Sequence, residues 1–134
     1  MAIKTDTQRN NLATAYAAAA THGALYTTAP GATAGTEPSG GAPAYARKPI
    51  TWSAAGAVGP AGAALQPALP GVVYGQATFD VPAGATIVGI GEHSAVSGGT
   101  YLDGGLTLDG NGNPITQPFS SQGTYTASFS YTQS

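Results

Sequence analysis

The chain of 134 residues has no cysteine, only four Lys and Arg together, and two His. Each shortage closes off some chemistry. Without cysteine there is no disulfide, no thiolate nucleophile and no thiolate metal ligand. Four cations against six anions leave a net charge of −2, far from the basic footprint that a phosphate backbone requires. Charged residues make up 7% of the chain, against about 25% of an average domain. No stretch approaches the ~18 consecutive apolar residues of a membrane-spanning helix. Neither nucleic acid nor membrane is therefore expected as a partner. The opening MAIKTDTQRNNLATAYAAAATHG is polar in front and Ala-rich behind, with no apolar centre. It reads as a soluble helix rather than a signal peptide.

What remains is small and apolar: 20 Gly, 10 Pro and a hydrophobic share of 42%. Disorder goes with low hydrophobicity and high charge, so this chain is expected to fold. Its length fits one domain with a real core. Few charges mean weak repulsion between copies, which suits a protein packed against other proteins. A GC-rich genome would leave the same bias.

Asp6 or Thr7 can cap a helix running to about Ala20, with Leu12, Tyr16 and Ala19 on one stripe and Gly23 as its stop. Residues 24–28 read as a short strand and 29–44 as an extended loop. In RKPITWS, Pro49 confines the strand to an edge or moves its start to Ile50. Residues 54–71 form a second long loop, expected to drape over the surface or reach toward a partner. From residue 72 strands and turns alternate. In VVYGQATFDV, Val73, Ala77, Phe79 and Val81 share a face; in TYTASFSYT, Tyr125, Ala127, Phe129 and Tyr131 do. TIVGIGEHS, TYLDGGLTL and ITQPF supply further strands. The expected fold is mainly β: an antiparallel β-sandwich, jelly-roll or immunoglobulin-like, with one N-terminal α-helix. The division is a helical arm over 1–23 and a sandwich over 24–134, with long loops at 29–44 and 54–71.

Little here points to catalysis. Asp109, Asn111 and Asn113 have calcium-loop spacing, but Pro114 and Ser120 stand where an EF-hand needs Gly and Glu. A hairpin loop is the plainer reading. Glu92 and His93 are neighbours on a strand and point to opposite faces, so they make no acid–base pair. His22 falls at a helix end, where an imidazole complements the dipole. No spacing selects a pair from Asp80, Glu92, Asp103 and Asp109. No catalytic, cofactor-binding or metal-binding residue is assigned, no cofactor is expected, and the chain is not expected to be an enzyme.

GGAPAYARKPITW, residues 40–52, carries half of the positive charge and the only Trp. Tyr45, Arg47 and Trp52 could stack a sugar or a base. The plainer reading turns Ile50 and Trp52 into the core, while Arg47 and Lys48 guard a sheet edge.

In order along the chain stand an Ala-rich helix leading into HGALYTTAPG, then GGAPAYARKPITW, ATFDVPAGATIVGIGEHSAVSGGTYL and QPFSSQGTYTASFS. This order resembles a family of small structural proteins of actinobacterial tailed phages and prophages, labelled minor tail or tail-fibre-like proteins. The match covers most of the chain and is least familiar over 54–71. The resemblance implies a non-enzymatic virion protein, a minor tail component, made in the host cytoplasm and assembled by protein–protein contacts. It brings no catalytic residues. The alternative is a decoration protein on the head lattice. Expected partners are other virion proteins, tail or major capsid, and further copies of the chain. Leu12, Tyr16, Tyr45, Arg47, Lys48, Trp52, Leu65 and Leu69 are the candidate interface residues. A further alternative is a carbohydrate-binding module for host attachment, with a surface glycan stacked on Tyr45, Trp52, Tyr74 and Tyr101.

Overall fold

The computed structural model of the chain describes residues 3–59, 66–109 and 111–133. Helix α1 (Asp6–Ala19) begins one residue ahead of the expected caps. Thr5 has extended backbone, and its hydroxyl accepts a hydrogen bond from the Gln8 N–H at 3.3 Å. Asp6 lies instead in the first turn, where its charge suits the dipole, and it pairs with Arg9 at 2.9 Å. The helix stops at Ala20 rather than Gly23. Its inward stripe runs through Ala13 and Ala20, both buried, and Tyr16, half-buried, while Ala19 is exposed and Leu12 is half-buried on the flank. The stripe is rotated from the expected one because Tyr16 is drawn onto the rings of Tyr131 and Trp52.

The strands are β1 (His22–Tyr26), β2 (Lys48–Pro49), β3 (Thr51–Trp52), β4 (Val72–Val81), β5 (Thr86–Ile87), β6 (Gly89–His93), β7 (Tyr101–Leu106), β8 (Gln117–Pro118) and β9 (Gly123–Thr132). All pairings are antiparallel. One sheet has the order β2-β1-β6-β7, a second β3-β4-β9, and β5 pairs with β8 at the side. Leu25 and Ile90 of the first sheet meet Ala77, Phe79, Val81, Ala127 and Phe129 of the second, with Ile50 and Ile87 closing the core. This is the expected antiparallel sandwich with one N-terminal helix.

The segment around Pro49 is two strands rather than one. β2 edges the first sheet and β3 the second, so the chain crosses between sheets at Ile50. The Ile50 side chain is buried at that crossing, and its N–H donates to Thr21 O at 2.9 Å. Pro49 therefore sits on an edge, where its missing N–H costs no ladder bond.

β4 and β9 run together through ten unbroken pairs, from Val72–Thr132 to Val81–Gly123. Their expected inward residues are buried or half-buried. Val72 and Tyr74 are also buried, although they point outward. The loop before β4 lies over them: Gly56 N–H donates to Val72 O at 3.0 Å, and the Tyr74 hydroxyl donates to Pro67 O at 2.9 Å. The described parts of that loop drape over the sheet.

The helical arm is docked rather than free. α1 packs on β4 and β9, Asn10 Oδ1 accepts from Gly71 N–H at 2.7 Å, and Ala20 O accepts from the Trp52 indole at 2.7 Å. His22 and Gly23, expected at the end of the arm, already belong to β1. Gly23 is needed there for space: a Cβ would stand 2.7 Å from Phe129 Cζ and 3.1 Å from Phe79 Cζ. Gly23→Val is expected to destabilise by about 1–3 kcal/mol through overpacking. Gly31→Val, where a Cβ meets nothing within 4 Å, is the neutral control. Urea midpoints of the two variants measure the difference.

Candidate functional site

Arg47 leaves β2's approach pointing at Glu37 of the first long loop. Its Nε is 3.1 Å from both carboxylate oxygens of Glu37, and Nη2 donates to Oε2 at 2.8 Å. Nη1 donates to Ala95 O at 3.1 Å and Gly98 O at 3.0 Å. One planar guanidinium thus joins the loop at Glu37 to the β6–β7 turn, the fork geometry that Arg alone offers. The Tyr45 hydroxyl donates to Glu37 Oε1 at 2.8 Å and accepts from Leu25 N–H at 3.0 Å, while its ring stacks on Phe79. Burial works to raise the Glu37 carboxyl, but the hydrogen bonds from Arg47 and Tyr45 outweigh it and hold the group below its ordinary range. Lys48 pairs with Asp80 at 3.3 Å across to β4.

Tyr26 and His93 lie above this network on the outer face of the first sheet. The Tyr26 hydroxyl bonds His93 Nε2, and Tyr101 packs beside both rings. Burial, and then the Arg47 charge, hold His93 below its ordinary value.

A second cluster closes the end of the sandwich beneath α1. Tyr16 stacks on Tyr131 with centroids 4.0 Å apart and meets Trp52 edge-on at 6.2 Å. Its hydroxyl donates to Glu92 Oε2 at 3.0 Å. Glu92 is 5% exposed and sits directly opposite Asp103 in the β6–β7 register. Burial pushes its carboxyl up to about 7, against the Tyr16 hydrogen bond and with help from the Asp103 charge. Glu92 and Asp103 line a cleft of about 190 Å³ with Ser128 and Ser130 of β9. Ordinary small-molecule pockets run to roughly 300–1,000 Å³.

The candidate interface residues therefore divide. Tyr45, Arg47 and Lys48 are held around Glu37 and Asp80; Tyr16 and Trp52 meet under the helix; Leu12 is half-buried on its flank. Leu69, 48% exposed, stands on the draped loop away from both groups. Leu65 lies outside the described residues. The four rings proposed to stack a glycan form no row: Tyr74 is buried under the loop on one outer face, and Tyr101 lies on the other. Arg47 does more than guard an edge, because Glu37 holds it inward. Glu37 escaped notice in the sequence as one acid in an apolar loop. It is the only carboxylate between Asp6 and Asp80, ten residues from Arg47, and that isolation was the available signal.

The remaining carboxylates have local work. Asp109 Oδ1 accepts from the N–H groups of Asn111 and Asn113 at 2.8 and 3.0 Å, an Asx turn rather than a calcium loop. Asp103 Oδ1 accepts from Gly104 N–H. Among the described residues no group of three or more His, Asp or Glu could hold a metal ion, and no helix is long and apolar enough to cross a membrane. Comparison with models of protein families, with curated proteins and with solved structures finds no match.

Two outcomes are expected. Arg47→Lys retains a charge for Glu37 but cannot also reach Ala95 O and Gly98 O. It should lower stability by about 1–3 kcal/mol in urea titration. Glu92 binds its proton more tightly folded than unfolded, so its stabilising effect is complete below the ordinary carboxyl range and is lost as pH rises through about 7. The melting temperature of the native chain should fall by roughly 3 °C or more between pH 5 and pH 8. Glu92→Gln should flatten that slope.

Proposed function

We propose that this chain is a non-enzymatic structural protein of a phage virion, a minor tail component held by contacts with other virion proteins. The observation that carries the reading joins the resemblance to the fold: the sequence blocks behind the resemblance are the ones bonded to one another. HGALYTTAPG meets GGAPAYARKPITW where Leu25 N–H donates to Tyr45. The latter reaches ATFDVPAGATIVGIGEHSAVSGGTYL through Arg47 to Ala95 and Gly98 and through Lys48 to Asp80. The last block closes the ring: Gln122 accepts from Ala42 N–H and donates to Pro43 O. These four blocks are thus bonded into one framework, which supports reading them as a unit.

The surface suits packing against protein. Val58, Leu69, Val96, Leu106, Leu108 and Ile115 are each more than 40% exposed, at loops and strand ends. Such apolar tips seat weakly one at a time, and many copies on a repeating particle add by avidity.

Gold-labelled antibody on purified particles, viewed by electron microscopy, tests the reading. Gold on tails is the expected result. Gold over the heads would replace the tail assignment with head decoration. No gold on any particle would overturn the virion reading and return attention to glycan binding.

A further inference from the structure

The two sheets have four edges, and three of them are protected. β2 is two residues long and consists of Lys48 and Pro49. β3 is also two residues long. β7 carries Asp103, and its pairing with β6 shifts register at Glu92 and His93. Charge, proline, brevity and bulges are the means by which a sheet edge avoids pairing with another chain. β9 has none of them. It is ten residues long, ends its sheet, and contains no charged residue and no proline. Its register with β4 is unbroken. It therefore presents a full row of backbone donors and acceptors on its outer side.

The sequence of this edge is close to a palindrome about Ser128. Thr124 mirrors Thr132, Tyr125 mirrors Tyr131, Thr126 mirrors Ser130, and Ala127 mirrors Phe129. We propose that β9 pairs antiparallel with β9 of a second copy, across a two-fold axis at Ser128. A two-fold contact places the same patch of each copy against itself, so a strand that mirrors itself is its own best partner. In this register Thr124, Thr126, Ser128, Ser130 and Thr132, all exposed, meet one another on the polar face. Tyr125 meets Tyr131 and Ala127 meets Phe129 on the inner face, extending both cores. The product is one six-stranded sheet, β3-β4-β9 continued into its symmetry mate. One large apolar side chain stands exposed beside the edge. Leu108, 58% exposed, lines a cleft there with Tyr125 and Ala127. A net charge of −2 per copy opposes the pairing little. The pairing requires nothing of the virion reading and stands or falls separately from it.

The chain has no cysteine, so a single introduced thiol reports cleanly. Opposed residues of antiparallel strands have Cα atoms about 4.5–5.5 Å apart, within disulfide range. Ser128→Cys should give a disulfide-linked dimer under mild oxidation. Thr126→Cys and Ser130→Cys should not cross-link alone, because each lies roughly 14 Å from its own copy. Mixed together, they should cross-link to each other. By sedimentation the native chain should dimerise. Thr126→Lys with Ser130→Lys should weaken the dimer roughly tenfold or more. Thr126→Lys with Ser130→Glu sets opposite charges across the axis and should restore it. Circular dichroism confirms that each variant folds. A native chain that stays monomeric up to about 1 mM would overturn the proposal. So would cross-linking of Thr126→Cys alone as efficient as that of Ser128→Cys, or a charge-swapped variant no tighter than the double Lys.

Discussion

The large rings of the sandwich interior lie where a facing or crossing strand carries glycine. Phe129 and Phe79 approach the backbone at Gly23; Trp52 and Ile50 approach it at Gly75, where a Cβ would stand 2.5 Å from Ile50 Cγ2. On the outer face Tyr26 lies over Gly91 in the same manner. The core itself is aliphatic and phenyl, and most of the seven Tyr lie buried or half-buried around it. A buried tyrosine brings a hydroxyl that requires a partner. The polar organisation of the molecule follows from that requirement. Tyr16 finds Glu92, Tyr26 finds His93, Tyr45 finds Glu37, and Tyr74 finds a loop carbonyl. The Tyr16 bond ties the helix to β6 and the Tyr74 bond ties the draped loop to β4, while the Tyr26 bond joins β1 to β6 and the Tyr45 bond closes the first long loop on itself.

The same economy governs charge. Arg9, Arg47 and Lys48 are all in ion pairs, and the Arg47 pair is the least exposed of them. With so few charges, the least exposed pair is placed where it fastens most backbone. Arg47 fastens a loop that also packs Gly35 on Tyr26 and Pro30 on Gly89. The long loop at 29–44 is thereby part of the domain, and the cost of desolvating the pair is offset by five hydrogen bonds to the guanidinium.

A framework fastened from within leaves its outer surfaces uncommitted. The outer face of β9 is Ser and Thr, and the loop tips are apolar. A self-pairing edge would give the chain a defined dimer on which a larger assembly could build.

The strands of the C-terminal half were legible because their alternation is local. Val72–Val81 and Gly123–Thr132 each bury one face against the other sheet, and period two appears directly in their residue types. The edge role of Pro49 was legible for an equally local reason, the missing N–H. The helix stripe was not, because an Ala-rich helix has several equivalent faces. Contact with Trp52 and Tyr131 selected among them. Gly23 read as a helix stop, since nothing near it in sequence tells of two phenyl rings arriving from β4 and β9. Glu37 and Arg47 are ten residues apart and could have been paired by charge alone. That Arg47 also holds Ala95 and Gly98, 48 and 51 residues away, depended on the β6–β7 turn being brought over the first loop. Local pattern in the residues carried the class of fold and the positions of the long strands. Tertiary structure alone decided which glycines make room for rings and which hydroxyls meet which acids, because those contacts join residues that only the closed sandwich brings together.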